Sequence, residues 1–564
     1  MSQRKLIQWA AMMPRKIILL LATFIFTSNF IHHAHANDAS LSNFWKNATI
    51  YFMMTDRFNN GDPTNDKSYQ RNENAAVLRG FEGGDIQGVI NKIEDGYFSD
   101  LGVDAIWMTP VIEQIHGYDT SDNLTYAYHG YWPKDWTTVD KNFGSEADLA
   151  RMIELAHQRG IRVLVDVIIN HTGPKTDQDN AWPDSWVRTE PLCNWSDFAN
   201  NVQCALATSL TDLKTESEAA VELPDWLLQK WQSEGRVEIE LAELDAFFKR
   251  TGYPKAPKYY LIKWLTDWVR DYGVDGFRVD TVKHTEAEIW RVLKKESELA
   301  FNSWKMNHPE KVIDAEPFYM VGEVFNWGAL GFANAVDQGR AYDYGDKQVD
   351  FFDYGFDALI NMGFIEHIKM PIEELYISYS DTLSKGDLQG KGLLHYLGSH
   401  DDHNSYDRGR ENTFENAFKL MMAPGGVQIY YGDEIARPMI VTEAYGDASM
   451  RSFMNWQDLQ ARETKQLLQH WQKLGKFRQQ FEAVGAGLHH KIEASPYTFS
   501  RTLSGEESVV IVKGAQSGLK TLTVGKVFEN GATLKDYYSG VTATVKDGRV
   551  TLNSPYNYVL LAKQ

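Results

Sequence analysis

At 564 residues the chain is longer than one hydrophobic core usually covers, so a large domain with one or two smaller ones is expected. Hydrophobic residues make up 43% and charged residues 24%, which excludes a disordered or fibrous chain. The formal net charge of −19 at pH 7 argues against nucleic acid as a partner.

The first 36 residues read as an export signal. Arg4, Lys5, Arg15 and Lys16 precede an apolar stretch from Ile17 to Ile31, and Ala34-His35-Ala36 forms an A-x-A cleavage site before Asn37. The apolar stretch contains Asn29 and is too short for a permanent anchor. The mature chain is therefore expected in the periplasm or the medium, free of the membrane, with a net charge of −23.

From Ala48 to Glu434, short apolar strands alternate with amphipathic helices, the pattern of a parallel β/α architecture. Strands are expected at Ile50 to Thr55, Ala105 to Thr109, Val163 to Ile169, Gly276 to Val279, Tyr319 to Glu323, Leu393 to Gly398 and Val427 to Tyr431, with a less distinct one at Phe351 to Phe356. A helix over Ser145 to Arg159 opens on a Ser-x-x-Asp cap and stops at Gly160. Another, Tyr260 to Tyr272, carries Leu261, Trp264, Leu265, Trp268 and Val269 at helical spacing, which assigns those tryptophans to the core. Eight such units close a (β/α)8 TIM barrel, whose active site lies at the carboxyl ends of the strands.

Two stretches break the alternation. From His171 to about Pro257 the interval is far too long for a βα loop and reads as a subdomain inserted after the third strand, with a helical run over Glu222 to Lys249. It holds both cysteines, Cys193 and Cys204, which in an exported chain are expected as one disulfide. From about Gly485, short alternating segments such as Ser508 to Val512 and Tyr556 to Leu561 indicate a C-terminal antiparallel β-sandwich. The expected division is thus a signal at 1–36, barrel at 37–170 and 258–484, the inserted subdomain at 171–257, and the sandwich at 485–564.

Four strand ends carry polar clusters: Asp166-Val-Ile-Ile-Asn-His171, Gly276-Phe-Arg-Val-Asp-Thr-Val-Lys-His284, Gly322-Glu-Val-Phe325 and Tyr396-Leu-Gly-Ser-His-Asp401. Singly, each acid is as well explained as a helix cap. On barrel strands three, four, five and seven they converge on one cleft holding Asp280, Glu323 and Asp401, with Arg278 on the same strand face as Asp280. Glycoside hydrolysis needs one carboxylic acid to protonate a leaving oxygen and one carboxylate to attack. Metal binding by the three acids is the rival reading, and spacing alone does not decide between them.

In these residues the chain resembles the α-amylase family of glycoside hydrolases, in order over Trp45 to Arg437, and looks most like the bacterial periplasmic α-amylases. Lesser motifs of the family are also present, as Gly83-Gly-Asp-Ile-Gln-Gly88, Leu210-Thr-Asp-Leu213 and Gly426-Val-Gln-Ile-Tyr-Tyr-Gly432. The resemblance implies retaining hydrolysis of α-1,4-glucosidic bonds in maltodextrin or starch oligosaccharides. Asp280 would be the nucleophile, Glu323 the acid and base, Asp401 the transition-state stabiliser and Arg278 the group orienting the nucleophile. It places His129, Tyr131, His171 and His400 at the sugar subsite of cleavage and Lys283 and His284 toward the leaving group.

It also implies calcium, held by Asn170, Asp212 and the backbone carbonyl of His284, oxygen donors suited to a hard cation. A second site is expected from Asn60, Asp62, Asn65 and Asp66 with Gly83 and Asp85, similar to the calcium loop of cyclodextrin glucanotransferases, against the alternative of an Asx-rich turn. A monomer acting alone on its substrate is expected. The alternatives are a transglycosylase of the glucanotransferase type and a partner subunit without catalysis. The first is disfavoured by the short stretch after the barrel, the second by the survival of all three acids.

Overall fold

The computed structural model describes residues 40–71, 74–121, 123–330, 339–503, 505 and 507–564. The expected export signal lies outside them.

Eight parallel strands close a barrel in sequential order. They are β1 (Thr49–Met53), β2 (Ala105–Met108), β3 (Arg162–Val167), β4 (Gly276–Val279), β5 (Tyr319–Gly322), β6 (Ala358–Asn361), β7 (Gly392–His395) and β8 (Gly426–Tyr430), with β8 pairing back onto β1. Strands such as Thr49-Ile-Tyr-Phe-Met53 are buried along their whole length, as sheets covered on both faces require. Most expected strands overrun the observed ones at the carboxyl end, because the chain turns there to present polar residues to the cleft.

The sixth strand is a correction. Phe351–Tyr354 is a short 3-10 turn, not a strand: Asp350 captures the Phe352 N–H, and Gly355 at φ +100° reverses the chain before β6 begins at Ala358. A buried apolar run of that length does not by itself distinguish strand from turn.

The helix Glu146–Gln158 (α1) starts on the full capping box, with the Ser145 and Asp148 side chains each bonded to the other's backbone N–H. Between β3 and β4 the chain leaves the barrel. It forms a small three-stranded sheet (His171–Thr172, Thr211–Leu213, Val187–Arg188), a single helical turn at Ala199–Val202 and two longer helices, α2 (Asp225–Ser233) and α3 (Val237–Thr251). The run read as one helix over Glu222 to Lys249 is thus two, broken at Gly235 with φ +74°. Helix α4 (Pro257–Tyr272) then returns the chain, with Trp264 and Trp268 buried as expected and Gly273 in the left-handed region closing it. Cys193 and Cys204 are joined in a disulfide inside the insert.

After the barrel, a six-stranded antiparallel sheet and a two-stranded one (Gly518–Thr523 with Arg549–Ser554) face each other. Strand β9 (Ser508–Lys513) sits in the larger sheet and sends alternate side chains to two places. Val510 and Val512 join the apolar layer between the two sheets, whereas Val509 and Ile511 join the barrel core. The neighbouring strand Tyr558–Lys563 does the same, with Val559 and Leu561 on one side and Leu560 and Ala562 on the other. Among the described residues no helix is long and apolar enough to cross a membrane.

Candidate active site

The site begins as a register. Asp166 on β3 lies directly opposite Arg278 on β4, and one step further the ladder continues through Asp280 N–H to Val167 O (3.0 Å) and Glu323 N–H to Val279 O (2.9 Å). With a side-chain period of two, Arg278 and Asp280 share the inner face, and the ends of β3, β4 and β5 present four charged groups to one point.

Arg278 ties these groups together. Its Nη1 donates to Asp280 Oδ1 (2.8 Å) and Asp166 Oδ1 (2.9 Å), and its Nη2 lies 3.0 Å from Glu323 Oε1. The planar guanidinium is suited to this work because its forked donors reach several carboxylates in fixed directions. Glu323 Oε2 accepts from the Thr281 N–H (3.0 Å), whose backbone sits in the left-handed region at φ +49°. Both acids are almost wholly buried, Asp280 at 5% and Glu323 at 7% exposure.

Burial raises the affinity of both acids for protons. Against it stands the Arg278 charge, while Asp401 adds to the rise at each and Asp280 adds to it at Glu323. Burial likewise pushes Asp166 up to about 7 in spite of Arg278. One cation among three buried carboxylates leaves the group electrostatically favourable to holding a proton. Asp166 accepts from Tyr131 Oη (2.8 Å) and Trp107 Nε1 (3.0 Å) as well as Arg278, so its oxygens are committed to donors.

Asp401 is held differently. Burial would raise it, but His400 Nε2 at 2.9 Å and Arg451 against Oδ1 hold it well below the usual carboxylate range. Arg451 in turn contacts Asp447 Oδ2 at 2.7 Å, and Arg79 Nη2 donates to Asp447 Oδ1 at 2.9 Å. Sequence reasoning missed Arg451, Asp447 and Arg79: Arg79 lies in an irregular segment, and Asp447 and Arg451 lie in and at the end of a single 3-10 turn, Gly446–Met450, too short to show a periodicity. It also missed Asp166 as a site residue, although its place on the inner face of β3 was available as a signal.

Asp280, Glu323 and Asp401 line one cleft of ≈ 430 Å³ together with His129, Tyr131, His171 and His284. Tyr131 stacks on the His400 ring (centroids 5.0 Å apart, 20° between planes) and holds the His171 Nε2 on its carbonyl oxygen (3.1 Å). Burial pushes His171 down to about 4 and, with Lys283 adding to the effect, His284 down to about 3; burial and Arg451 lower His129 as well. These rings are therefore neutral at ordinary pH, hydrogen-bonding rather than charged. His400 and Arg278 stand behind the cleft wall, and Lys283 is set back on Tyr342 Oη (2.8 Å).

Two of the residues expected at a first cation site, Asn170 and Asp212, lie on neighbouring segments of the small inserted sheet. Asp212 is paired in register with His171, and Leu213 N–H donates to Asn170 O (2.8 Å). Neither Asp212 oxygen receives a hydrogen bond of normal geometry, although Arg188 Nε lies 2.8 Å from Oδ2. Burial, opposed by Arg188 and reinforced by Glu216 and Glu286, pushes Asp212 up to about 9, and Glu216 Oε2 and Glu286 Oε1 are buried without partners. At the second expected site, Asp85 caps the helix Ile86–Glu94 and accepts from the N–H groups of Gly61, Asp62 and Gly88 and from Asn65 Nδ2. Asp62 closes an Asx turn with Thr64, and Asn60 Nδ2 binds Asp66. The side-chain oxygens of Asn60 and Asn65 are buried without partners. Gly83, at φ +91°, leaves room that a Cβ would take from Asn60 and Asp66. Among the described residues, no three His, Cys, Asp or Glu side chains gather into a metal cage.

The α-amylase catalytic-domain family model matches residues 52–465. The periplasmic α-amylase of Escherichia coli (strain K12) is 36% identical over 535 residues, covering 84% of this chain and 72% of that one. A cyclomaltodextrin glucanotransferase of Thermoanaerobacterium thermosulfurigenes is 26% identical over 71% of this chain and 51% of its own. Among solved structures, an Anoxybacillus α-amylase superposes with a TM-score of 0.63 at 25% identity, over 92% of this chain and 99% of that one. The barrel, the convergent carboxylates and these likenesses agree, and the chain belongs to the α-amylase family of glycoside hydrolases.

Proposed function

We propose that the protein is an exported enzyme that hydrolyses α-1,4-glucosidic bonds of maltodextrins with net retention at the anomeric carbon. The observation that carries this reading is the double hold of Arg278 on Asp280 and Glu323, one carboxylate on each of its terminal nitrogens. A retaining enzyme needs its two carboxyl groups about 5 to 5.5 Å apart, and adjacent arms of one guanidinium suit that spacing.

In the first step an Asp280 oxygen bonds to the anomeric carbon while the bond to the leaving oxygen breaks, and Glu323 gives its proton to that oxygen. In the second, water gives a proton to Glu323 and its oxygen replaces Asp280. Asp401, kept anionic by His400 and Arg451, stabilises the positive charge that develops on the ring in the transition state of each step. Tyr131, His129 and His171 supply a flat face and neutral hydrogen-bonding groups for the reacting sugar.

Calcium fits the residues around Asp212. Asn170, Asp212 and the carbonyl of His284 would hold it, and the buried Asp212 oxygens, which accept no hydrogen bond of normal geometry, support this. When bound, the ion supplies positive charge that fixes the inserted segment against the ends of β3 and β4. The orphan oxygens of Asn60 and Asn65 support a second cation beside Asp62, Asp66, Gly83 and Asp85. The export signal, the division at residues 36, 170, 257 and 484, and action as a monomer belong to the same reading.

The test is a time course of products from a defined maltooligosaccharide, with the initial anomer followed by NMR and Asp280→Asn run alongside. Early α-anomer and loss of activity in the variant are expected. Early β-anomer, or an Asp280→Asn protein as fast as the parent, overturns the mechanism.

A further inference from the structure

Tyr396 stands one residue past β7. The residue before it, His395, turns outward and stacks on Phe364 in the helical turn that follows β6, ring centroids 4.5 Å apart. Successive side chains of a strand point to opposite faces, so Tyr396 points into the barrel, where it is 1% exposed. A buried phenol needs a partner, and its Oη donates to Asp402 Oδ2 at 2.6 Å. Burial raises this phenol well above its ordinary range, and the charges of Asp402, Glu323 and Asp401 raise it further. The hydroxyl is therefore protonated at ordinary pH and stands within the field of two of the acids in the cleft. Neither Tyr396 nor Asp402 is one of the described residues lining that cleft.

Between the two, the chain makes the turn that carries Asp401. The Asp401 side chain is 41% exposed, so its direction depends on His400 and Arg451 beside it and on the backbone under it. That backbone has light support of its own: the Asp401 and Asp402 N–H groups share one acceptor, Ser399 Oγ, at 3.3 and 3.1 Å. Asp402 supplies the rest. Its Oδ1 accepts the Asn404 N–H (2.8 Å), its carbonyl accepts from Ser405 Oγ (2.7 Å), and its Oδ2 holds Tyr396. The last of these ties the turn to the end of β7. Setting a further carboxylate next to Asp401 costs like-charge repulsion, and a phenyl ring at 396 would fill the barrel equally well. The bond between them accounts for both the acid and the hydroxyl.

We propose that Tyr396 and Asp402 are a positioning pair that anchors the turn to the barrel and so aims the Asp401 carboxylate at the reacting ring. This rests on the hydrolytic reading given above. Both residues act through Asp401 and touch no substrate. Asp401 does its work in the transition state, so a loosened turn lowers kcat and leaves KM in place.

The test measures kcat and KM on maltoheptaose for the parent, Tyr396→Phe, Asp402→Ala, the double variant and Asp402→Asn, with Tm for each. Tyr396→Phe and Asp402→Ala are each expected to lose about tenfold in kcat, the size of one hydrogen bond to a charged group, with KM within about twofold of the parent. The double variant is expected to be no worse than the weaker single one, because both remove the same bond. Asp402→Asn is expected to recover most of kcat. Its Nδ2 can donate to the phenol while its Oδ1 still takes the Asn404 N–H, so the tie survives without the charge. An unchanged kcat in both single variants overturns the pair, as do losses that multiply in the double variant, a rise in KM alone, or an Asp402→Asn protein as slow as Asp402→Ala. If Tyr396→Phe no longer unfolds cooperatively, Asp402→Ala, altered at a part-exposed turn, decides by the same split between kcat and KM. A parent inactive on maltoheptaose overturns instead the hydrolytic reading on which the pair stands.

Discussion

Arg278 Nη2 lies 3.0 Å from Glu323 Oε1, so the arginine that aims Asp280 is also a direct neighbour of the second carboxyl group. A single side chain sets the spacing and shares its charge between both. Replacing it with lysine keeps one positive charge but removes the fork that reaches two acids. Arg278→Lys is therefore expected to fold, checked by circular dichroism, and to lose at least about a hundredfold in kcat/KM, roughly 2.7 kcal/mol of transition-state stabilisation.

The pH dependence of activity should report Glu323. Burial raises its affinity for protons, and the neighbouring charges of Asp280 and Asp401 raise it further. The acid form is needed, so activity falls on the alkaline side as Glu323 deprotonates. Removing the Asp401 charge weakens that support. In Asp401→Asn, assayed through its residual activity, the alkaline limb of the kcat/KM profile is expected to move to lower pH. An unmoved or raised limb would assign it to another group.

Acid stability has a separate marker far from the cleft. His395 at the end of β7 is buried, pairs with Asn361 Nδ2 (3.1 Å) and Pro424 O (2.8 Å), and is pushed by burial down to about 3. The unfolded chain binds this proton below about pH 6.5 and the folded one does not, so stability is present above that pH and is lost as pH falls toward 3. The loss is on the order of 1.4 kcal/mol per pH unit. His395→Gln is expected to melt below the parent at pH 7, with the gap narrowing steadily down to pH 4.5 by calorimetry.

Calcium is expected to act on stability as well as rate. Chelation should lower the Tm of the parent by several degrees, since an ion at a hundred times its Kd contributes about 2.7 kcal/mol. Asp212→Ala should melt lower and lose most of that response. An identical response to chelator in parent and variant would remove Asp212 from the ion's ligands.

Much of this was legible because barrels place chemistry by rule. Asp280 and Glu323 stand one residue past apolar strands, where a period-two face and the carboxyl-end rule single them out. Ser145 and Asp148 announced their helix through local chemistry alone. Arg451, Asp447 and Arg79 left no such trace. They run as a chain, Arg451 on Asp401, Asp447 on Arg451 and Arg79 on Asp447, and only folding brings residues 79, 401, 447 and 451 together. Phe351 to Phe356 misled for the opposite reason. Its pattern is that of a buried strand, but one Asp350 oxygen bonded to the Phe352 N–H bends it into a turn.

Strand β9 gives the C-terminal region a share in two interiors at once, Val510 and Val512 in one and Val509 and Ile511 in the other. A neighbouring arginine, Arg501, reinforces the tie by donating to Val484 O (2.6 Å) and Met422 O (3.1 Å) across the junction. A chain shortened near Gly485 would therefore not be a trimmed enzyme. It would be a barrel with an open wound along its helices, and the last eighty residues are as much its skin as a domain of their own.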